Sequence, residues 1–408
     1  MEKLSLKSLL IIVVILLIAI VGLWRIQQRG KSVMAGWYND SWQYRKAITI
    51  GYTGASALTD FQVSVDVGTS ALIAAGKMKS DCADIRFTDQ TGKLLDYWIE
   101  ENNPGCNQTT DTKIWIKLPR VNTTGTNIYL YYGNPSATTI QDGNKVFEFF
   151  DDFNGSSINT NKWNLNTINS ITSSIVSGKL RITGCTTDAT ANYWIYNSSD
   201  VGSQHQANTS STDNIIIDWS STISDTVANQ LGQAGMALIT SADNKIHAYL
   251  NHTDWASSLD PKRYWHYEDT VGSEVAIDGE TVQFSLKRSG NNVYYFVNGT
   301  QKTTGTLTSS PNKISLTCGI FSNSYPYLNY VEIDNVRVRK YAPSDPTKTL
   351  LTEERSPAPI AYWSFDEGVG TSVFDSSSNN INGYFAGSPQ WKTESECLSG
   401  KCIYFNGS

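Results

Sequence analysis

Charge is scarce in this chain: 17% of its 408 residues are Asp, Glu, Lys or Arg, and they leave a net charge of −6. Without a basic field the chain has no means of collecting phosphates along a backbone, which excludes nucleic acid as a partner. Histidine is rarer still. The four copies, at 205, 247, 252 and 266, show neither an HExxH pattern nor regular ligand spacing, so zinc and a histidine-based triad have no basis. No GxSxG, P-loop or dinucleotide fingerprint occurs either. Beyond residue 35 there are no long periodic stretches of Leu, Ala, Glu and Lys, which argues against a helical bundle. Asn, Ser, Thr, Tyr and Trp are abundant instead, a composition suited to strands joined by polar turns. At this length one core is insufficient, and two or three domains are expected.

The N-terminus differs from the rest. Leu9 to Trp24 is an apolar run with one glycine, Gly22, flanked by Lys3 and Lys7 before it and by Arg25, Arg29 and Lys31 after it. At a rise of ~1.5 Å per residue a helix of this length nearly crosses a ~30 Å hydrocarbon layer, and snorkelling cations complete the span. The rival reading is a cleaved signal peptide ending at Val33, Met34 and Ala35 before Gly36. The three cations in a long intervening region favour an anchor. Basic flanks on both sides leave orientation open. Six cysteines without metal-type spacing place the bulk of the chain outside the cytoplasm, at the cell surface.

From Trp42 onward short alternating runs take over: 46–50, 61–67, 85–87, 114–118 and 128–132, punctuated by Gly, Asn, Asp and Pro. Period-two alternation puts one set of side chains on a core face, so residues 37–147 are read as a first β-sandwich. The blocks Trp42–Ile50, Asp84–Asp89, Leu95–Glu100, Ile114–Pro119 and Tyr131–Pro135 resemble domain of unknown function 2341, which implies a module of large prokaryotic surface proteins. A second segment, 148–341, opens with Phe149–Gly155 and Trp163, continues through 282–286 and 293–297, and closes with Val331–Val338. It resembles concanavalin A-like lectin/glucanase jelly rolls, and the resemblance implies that its first and last strands lie side by side. Residues 342–359 read as a polar, proline-bearing link. In 360–408 the blocks Tyr362–Gly368, Asp375–Asn379 and 402–407 resemble the start of a laminin-G-like jelly roll. That stretch holds too few strands for a complete sandwich, and its apolar edges are expected to be exposed. The fold class expected is therefore all-β: tandem sandwiches or jelly rolls (37–147, 148–341 and 360–408) behind a tail (1–8), a transmembrane helix (9–24) and a juxtamembrane linker (25–36).

Candidate chemistry is sparse. Six cysteines allow fifteen connectivities, and sequence neighbourhood suggests Cys82 with Cys106, Cys185 with Cys318, and Cys397 with Cys402. Glycosidases need an acid and a nucleophile or base roughly 5–10 Å apart, and Glu332 and Asp334 share one face of a strand. Glucanases of the resembled fold carry a further Glu two or three positions on, where this chain has Val336 and Arg337, so the pair reads as part of a closing strand and no catalytic residue is assigned. Asp151, Asp152 and Asp334 are candidate oxygen ligands for a structural calcium ion, with solvated surface aspartates as the plain alternative; no cofactor is required. The Asp375–Asn380 loop has the same composition, which turn chemistry alone explains. Trp255, Tyr264, Trp265, Tyr267, Tyr325 and Tyr327 lie in stretches polar enough to be loops. Aromatic planes there suit sugar rings, while tryptophan in a sandwich core is the alternative. Sequons at Asn107, Asn122, Asn251 and Asn298 permit glycosylation. The expectation is a membrane-anchored surface protein whose partners are glycans or other surface proteins. A diverged polysaccharide hydrolase and a surface-layer or filament subunit are the alternatives.

Overall fold

The computed structural model describes residues 37–100, 105–165, 172–183, 201–203, 214–224, 232–239, 246–254, 263–268, 271–276, 281–307, 313–319, 330–356, 361–377, 379–387, 389–397 and 400–405. The apolar segment at 9–24 and the linker after it lie outside these. Among the described residues no helix is long and apolar enough to cross a membrane.

The first module contributes β1 (Tyr44–Gly51), β2 (Leu58–Val67), β3 (Arg86–Asp89), β4 (Leu94–Leu95), β5 (Tyr97–Ile99), β6 (Thr112–Val121) and β7 (Thr126–Tyr132). The second supplies β8 (Phe149–Asp151), β9 (Trp163–Leu165), β10 (Thr172–Val176), β11 (Lys179–Thr183), β12 (Val201–Ser203), β13 (Asn214–Ser224), β14 (Gly232–Ile239), β15 (Ile246–Asp254), β16 (Arg263–Glu268), β17 (Val271–Ala276), β18 (Thr281–Ser289), β19 (Asn292–Val297), β20 (Thr300–Thr306), β21 (Lys313–Gly319) and β22 (Tyr330–Lys340). Then come β23 (Thr347–Arg355), β24 (Ser372–Val373), β25 (Gly383–Tyr384), β26 (Gln390–Lys392) and β27 (Cys402–Tyr404).

In the first module alternation does what the sequence predicts. Ile48 and Ile50 of β1, Val63 and Val65 of β2, Ile114 and Ile116 of β6, and Ile128 and Leu130 of β7 turn inward and close a core between two sheets. The smaller sheet runs β2-β6-β5 and the larger β23-β1-β7-β3-β4. Cys82 and Cys106 are joined and tie the loop entering β3 to the loop entering β6.

The larger sheet corrects the reading of 342–359 as a link. Residues 347–355 form β23, which pairs antiparallel with β1 from Tyr44↔Arg355 to Gly51↔Thr347. The second module is therefore an insertion: the chain leaves the first sandwich after β7, builds a second one, and returns to complete the first. An edge strand faces solvent and carries few apolar residues, and its mate lies some three hundred positions upstream, so local composition looks like a linker. Leu350 packs against the first core, and polar contacts add to it. Glu353 accepts from the hydroxyl of buried Tyr132 at 2.6 Å and pairs with Lys77. Arg45 reaches Glu354 at 2.7 Å, and its guanidinium also covers the ring of Trp37.

The second module packs a five-stranded sheet, β17-β16-β15-β14-β21, against a larger one ordered β10-β11-β22-β13-β18-β19-β20. Trp219, Phe284, Tyr295, Met236, Leu238, Ile314 and Ile333 fill the space between. β8 lies beside β22, with Asp151 opposite Val336, so the first and last strands of this module are neighbours. In the C-terminal stretch β24 pairs with β25 and β26 with β27, and Cys397 is joined to Cys402. Among the described residues the large exposed apolar side chains concentrate here, with Val369 75% and Tyr384 79% exposed.

If β23 is integral to the first sandwich, Glu353→Ala strands the Tyr132 hydroxyl and lowers unfolding stability by about 1–3 kcal/mol. Urea unfolding followed through tryptophan fluorescence reads the shift; an unchanged midpoint contradicts the insertion topology.

Candidate functional site

The site begins with a kink in β22. Ile333 faces the core of the second module, and so do Val336 and Val338, which breaks simple alternation. The extra residue is Asn335, held at φ 54°, where the register with β13 slips between Asp218 and Ser220. Asn tolerates this left-handed region better than most non-glycine residues, and a bulge of this kind re-aims the side chains around it. Asp334, Arg337 and Arg339 consequently lie on the outer face of the sheet, together with Asp218 from β13.

That outer face meets the first module. Trp98, Trp115, Val146, Phe147 and Phe150 form an apolar cluster at the junction, with Trp98 and Phe150 edge to face at 4.8 Å. Arg337 and Arg339 enter beside it, their guanidinium carbons 5.2 and 4.9 Å from the Trp115 ring centroid. Glu100, following β5, accepts from Trp115 Nε1 at 2.8 Å and from Arg337 Nη2 at 3.3 Å. Asp218 takes Arg339 Nε at 2.7 Å, has Arg337 Nε 3.5 Å away, and accepts from the Ser285 hydroxyl. Two carboxylates and two guanidiniums thus share one buried network across the junction. Gln62 of β2 bridges nearby: its amide nitrogen donates to the Val146 carbonyl and its oxygen accepts from the Lys340 N–H, both at 3.0 Å.

Burial alone would raise the Asp218 carboxyl, but Arg339 and Arg337, with the Ser285 hydroxyl, outweigh it and hold the group at about 2.

Beside this network opens a cleft of about 760 Å³. Ser64 of β2 and Lys113 and Trp115 of β6 line the first-module wall, Thr281 and Gln283 of β18 the opposite wall, and Asp345 and Lys348 the approach to β23. The turn at Asn298 and Gly299 sits at its edge, both residues at positive φ, and Asn298 Oδ1 accepts from the Gln283 N–H at 3.0 Å. The hairpin tip thus places Asn298 on the cleft with its side-chain oxygen already engaged.

The sequence candidates fall elsewhere. Glu332 and Asp334 do share a face of β22, but Glu332 is paired with Arg181 at 2.6 Å and Lys179 at 3.7 Å. Asp334 is 4% exposed and accepts from the Asn335 N–H. Asp151, Asp152 and Asp334 are not brought together, although their strands are adjacent. Asp151 stands opposite inward-facing Val336 and binds Trp163 Nε1 at 2.6 Å and the Phe153 N–H, while Asp334 lies on the other face of the sheet. Asp152 accepts from the Asn154 N–H nearby. Among the described residues no three His, Cys, Asp or Glu side chains are grouped as metal ligands. Asp375 serves a turn, accepting from the N–H groups of Tyr362, Ser377 and Ile381.

The aromatic candidates divide. Trp255, Tyr325 and Tyr327 lie outside the described residues. Tyr264, Trp265 and Tyr267 do not form a loop: they occupy β16, inside the five-stranded sheet, opposite His252, Asn251 and Tyr249 of β15. Aromatic residues in succession carry high strand propensity, which prevails over the polarity of their surroundings. Cys318 lies on β21, and its suggested partner Cys185 is outside the described residues. Sequence reasoning missed the Glu100, Asp218, Arg337 and Arg339 network, because its members come from three distant strands.

Two β-sandwiches, one inserted into the other and locked by buried charge, define the class of this protein. Residues 81–166 match the family described as domain of unknown function (DUF2341). The match takes in the blocks at 84–89, 95–100, 114–119 and 131–135. No curated protein matches the chain. Among solved structures it is similar to the catalytic domain of an endo-1,3-beta-glucanase (laminarinase) from Thermotoga petrophila, at 9% identity over 48% of this chain and 97% of that one, TM-score 0.35. A Bacillus licheniformis beta-glucanase gives 15% identity over 47% and 97%, TM-score 0.32. The CBM2 module of the evolved Dit of Lactobacillus casei phage J-1 gives 13% over 48% and 97%, TM-score 0.33.

Asp218 has a folded-state value below that of an unfolded aspartate, ~3.9. Its stabilisation is complete above that value and disappears as pH falls from about 4 through about 2. Asp218→Asn should flatten the acid-unfolding profile in this window. At neutral pH it should destabilise by about 3–5 kcal/mol, because Arg339 loses its carboxylate partner and Arg337 one of its two. Circular dichroism at stepped pH reads both effects.

Proposed function

We propose that this chain is a membrane-anchored, extracytoplasmic surface protein that binds carbohydrate without hydrolysing it, using the cleft between its two interlocked sandwiches. The cleft itself carries the reading. It lies in the ~300–1,000 Å³ range of small-ligand sites, and Ser64, Thr281, Gln283 and Asn298 bring hydroxyl and amide groups suited to sugar hydroxyls. The junction that shapes it is held by buried ion pairs, so its walls need little ordering on binding. A binding role is favoured over hydrolysis by Glu332, whose carboxylate is engaged by two cations. Placement beyond the cytoplasm draws support from the closed Cys82–Cys106 and Cys397–Cys402 bridges, and anchoring from the apolar segment Leu9–Trp24.

Glycan-array binding by the full chain in detergent tests this reading. Gln283→Trp, which fills the cleft from its second-module wall, is expected to weaken retained glycans by about tenfold, ~1.4 kcal/mol. Reducing-sugar release from those glycans should stay at background. An array signal untouched by Gln283→Trp removes the cleft from consideration, and sustained sugar release removes the non-hydrolytic role.

A further inference from the structure

We infer that the sugar taken by the cleft is acidic, a short oligosaccharide whose units carry carboxylates; this rests on the carbohydrate reading above and names its substrate class. Four cations and three carboxylates line the cleft, in a chain that is net negative overall. Their pairing is uneven. Glu100 and Asp218 are consumed by Arg337 and Arg339 inside the buried network. Lys113 and Lys348, both from the first-module side, have no ion-pair partner among the described residues, and only Asp345 opposes them in the lining. One wall is thus cationic, and the facing wall is built from the neutral groups of Thr281, Gln283 and Asn298.

A second observation points the same way. Arg337, 7% exposed, lines the cleft, and its Nε lies 3.5 Å from Asp218 Oδ2, an ion pair that makes no hydrogen bond. An N–H that is charge-paired but not hydrogen-bonded still gains from a well-aligned acceptor, which an entering anion supplies. Neutral hydroxyls and amides on one side with ammonium groups on the other suit a ligand having hydroxyls along its length and negative charge on one edge. A uronate oligomer has that distribution; a neutral hexose oligomer leaves both lysines unanswered. Nucleic acid is excluded by the acidity of the whole molecule.

Isothermal titration of the full chain in detergent with a galacturonate trisaccharide and with its neutral galactose counterpart tests the inference. The acidic ligand is expected to bind about tenfold more tightly at low ionic strength. That margin should narrow near 0.15 M salt, where screening acts over ~8 Å. The double variant Lys113→Gln, Lys348→Gln should lose the preference while keeping the wild-type thermal midpoint, since neither lysine belongs to the buried network. Equal affinity for the two sugars, or a preference that survives in the double variant, overturns the acidic assignment and leaves the cleft as a neutral-sugar site. Binding of neither trisaccharide, with array glycans still sensitive to Gln283→Trp, overturns it as well. Binding of neither, with no array signal, overturns the carbohydrate reading itself.

Discussion

A guanidinium withdrawn from water requires a carboxylate beside it, and Arg337 has two, one from each module. Glu100 comes from the first sandwich and Asp218 from the second, so neither module alone completes the arrangement. Separating them would leave charges in apolar surroundings next to Trp98, Trp115 and Phe147, a far greater penalty than parting two polar surfaces. The pairing acts less as a source of net stability than as a condition on geometry: one relative placement satisfies every partner. The aromatic cluster, the amide bridge of Gln62 and the dimensions of the cleft all follow from that placement.

The bulge at Asn335 is the small structural change on which this depends. With unbroken alternation Arg337 would follow Ile333 and point into the second core, where Trp219 and Phe284 leave it no room. One residue at positive φ moves Val336 and Val338 inward and both arginines outward. The same shift separates Asp151 from Asp334 by a whole sheet, so the feature that makes the junction also dissolves the calcium grouping suggested by strand adjacency.

Period-two hydrophobicity exposes the strands of the first module because one face of each fills the core, while Arg45, Gln62, Trp115 and Tyr131, buried on the other face, break the alternation. Cys82 and Cys106 were legible as partners through proximity in the chain. β23 was not, since Leu350 and Leu351 stand side by side without alternation in an otherwise polar edge strand whose partner is distant in sequence. The tyrosines and tryptophan of β16 read as loop residues for the opposite reason, as polar neighbours masked a strand. Glu100, Asp218 and the two arginines could not be read at all: their relation exists only after three strands have been placed, and a bulge conceals even the face on which they fall.

The return of the chain to its starting sheet also decides how tension passes through the molecule. Tyr44 and Arg355 are paired across β1 and β23, so a pull on the segments preceding one and following the other enters and leaves at the same corner. The load runs through that pair of strands and bypasses the whole insertion between them. Traction in this geometry peels backbone hydrogen bonds in sequence from that corner instead of shearing them together, and it reaches Lys348, where β23 meets the cleft, last.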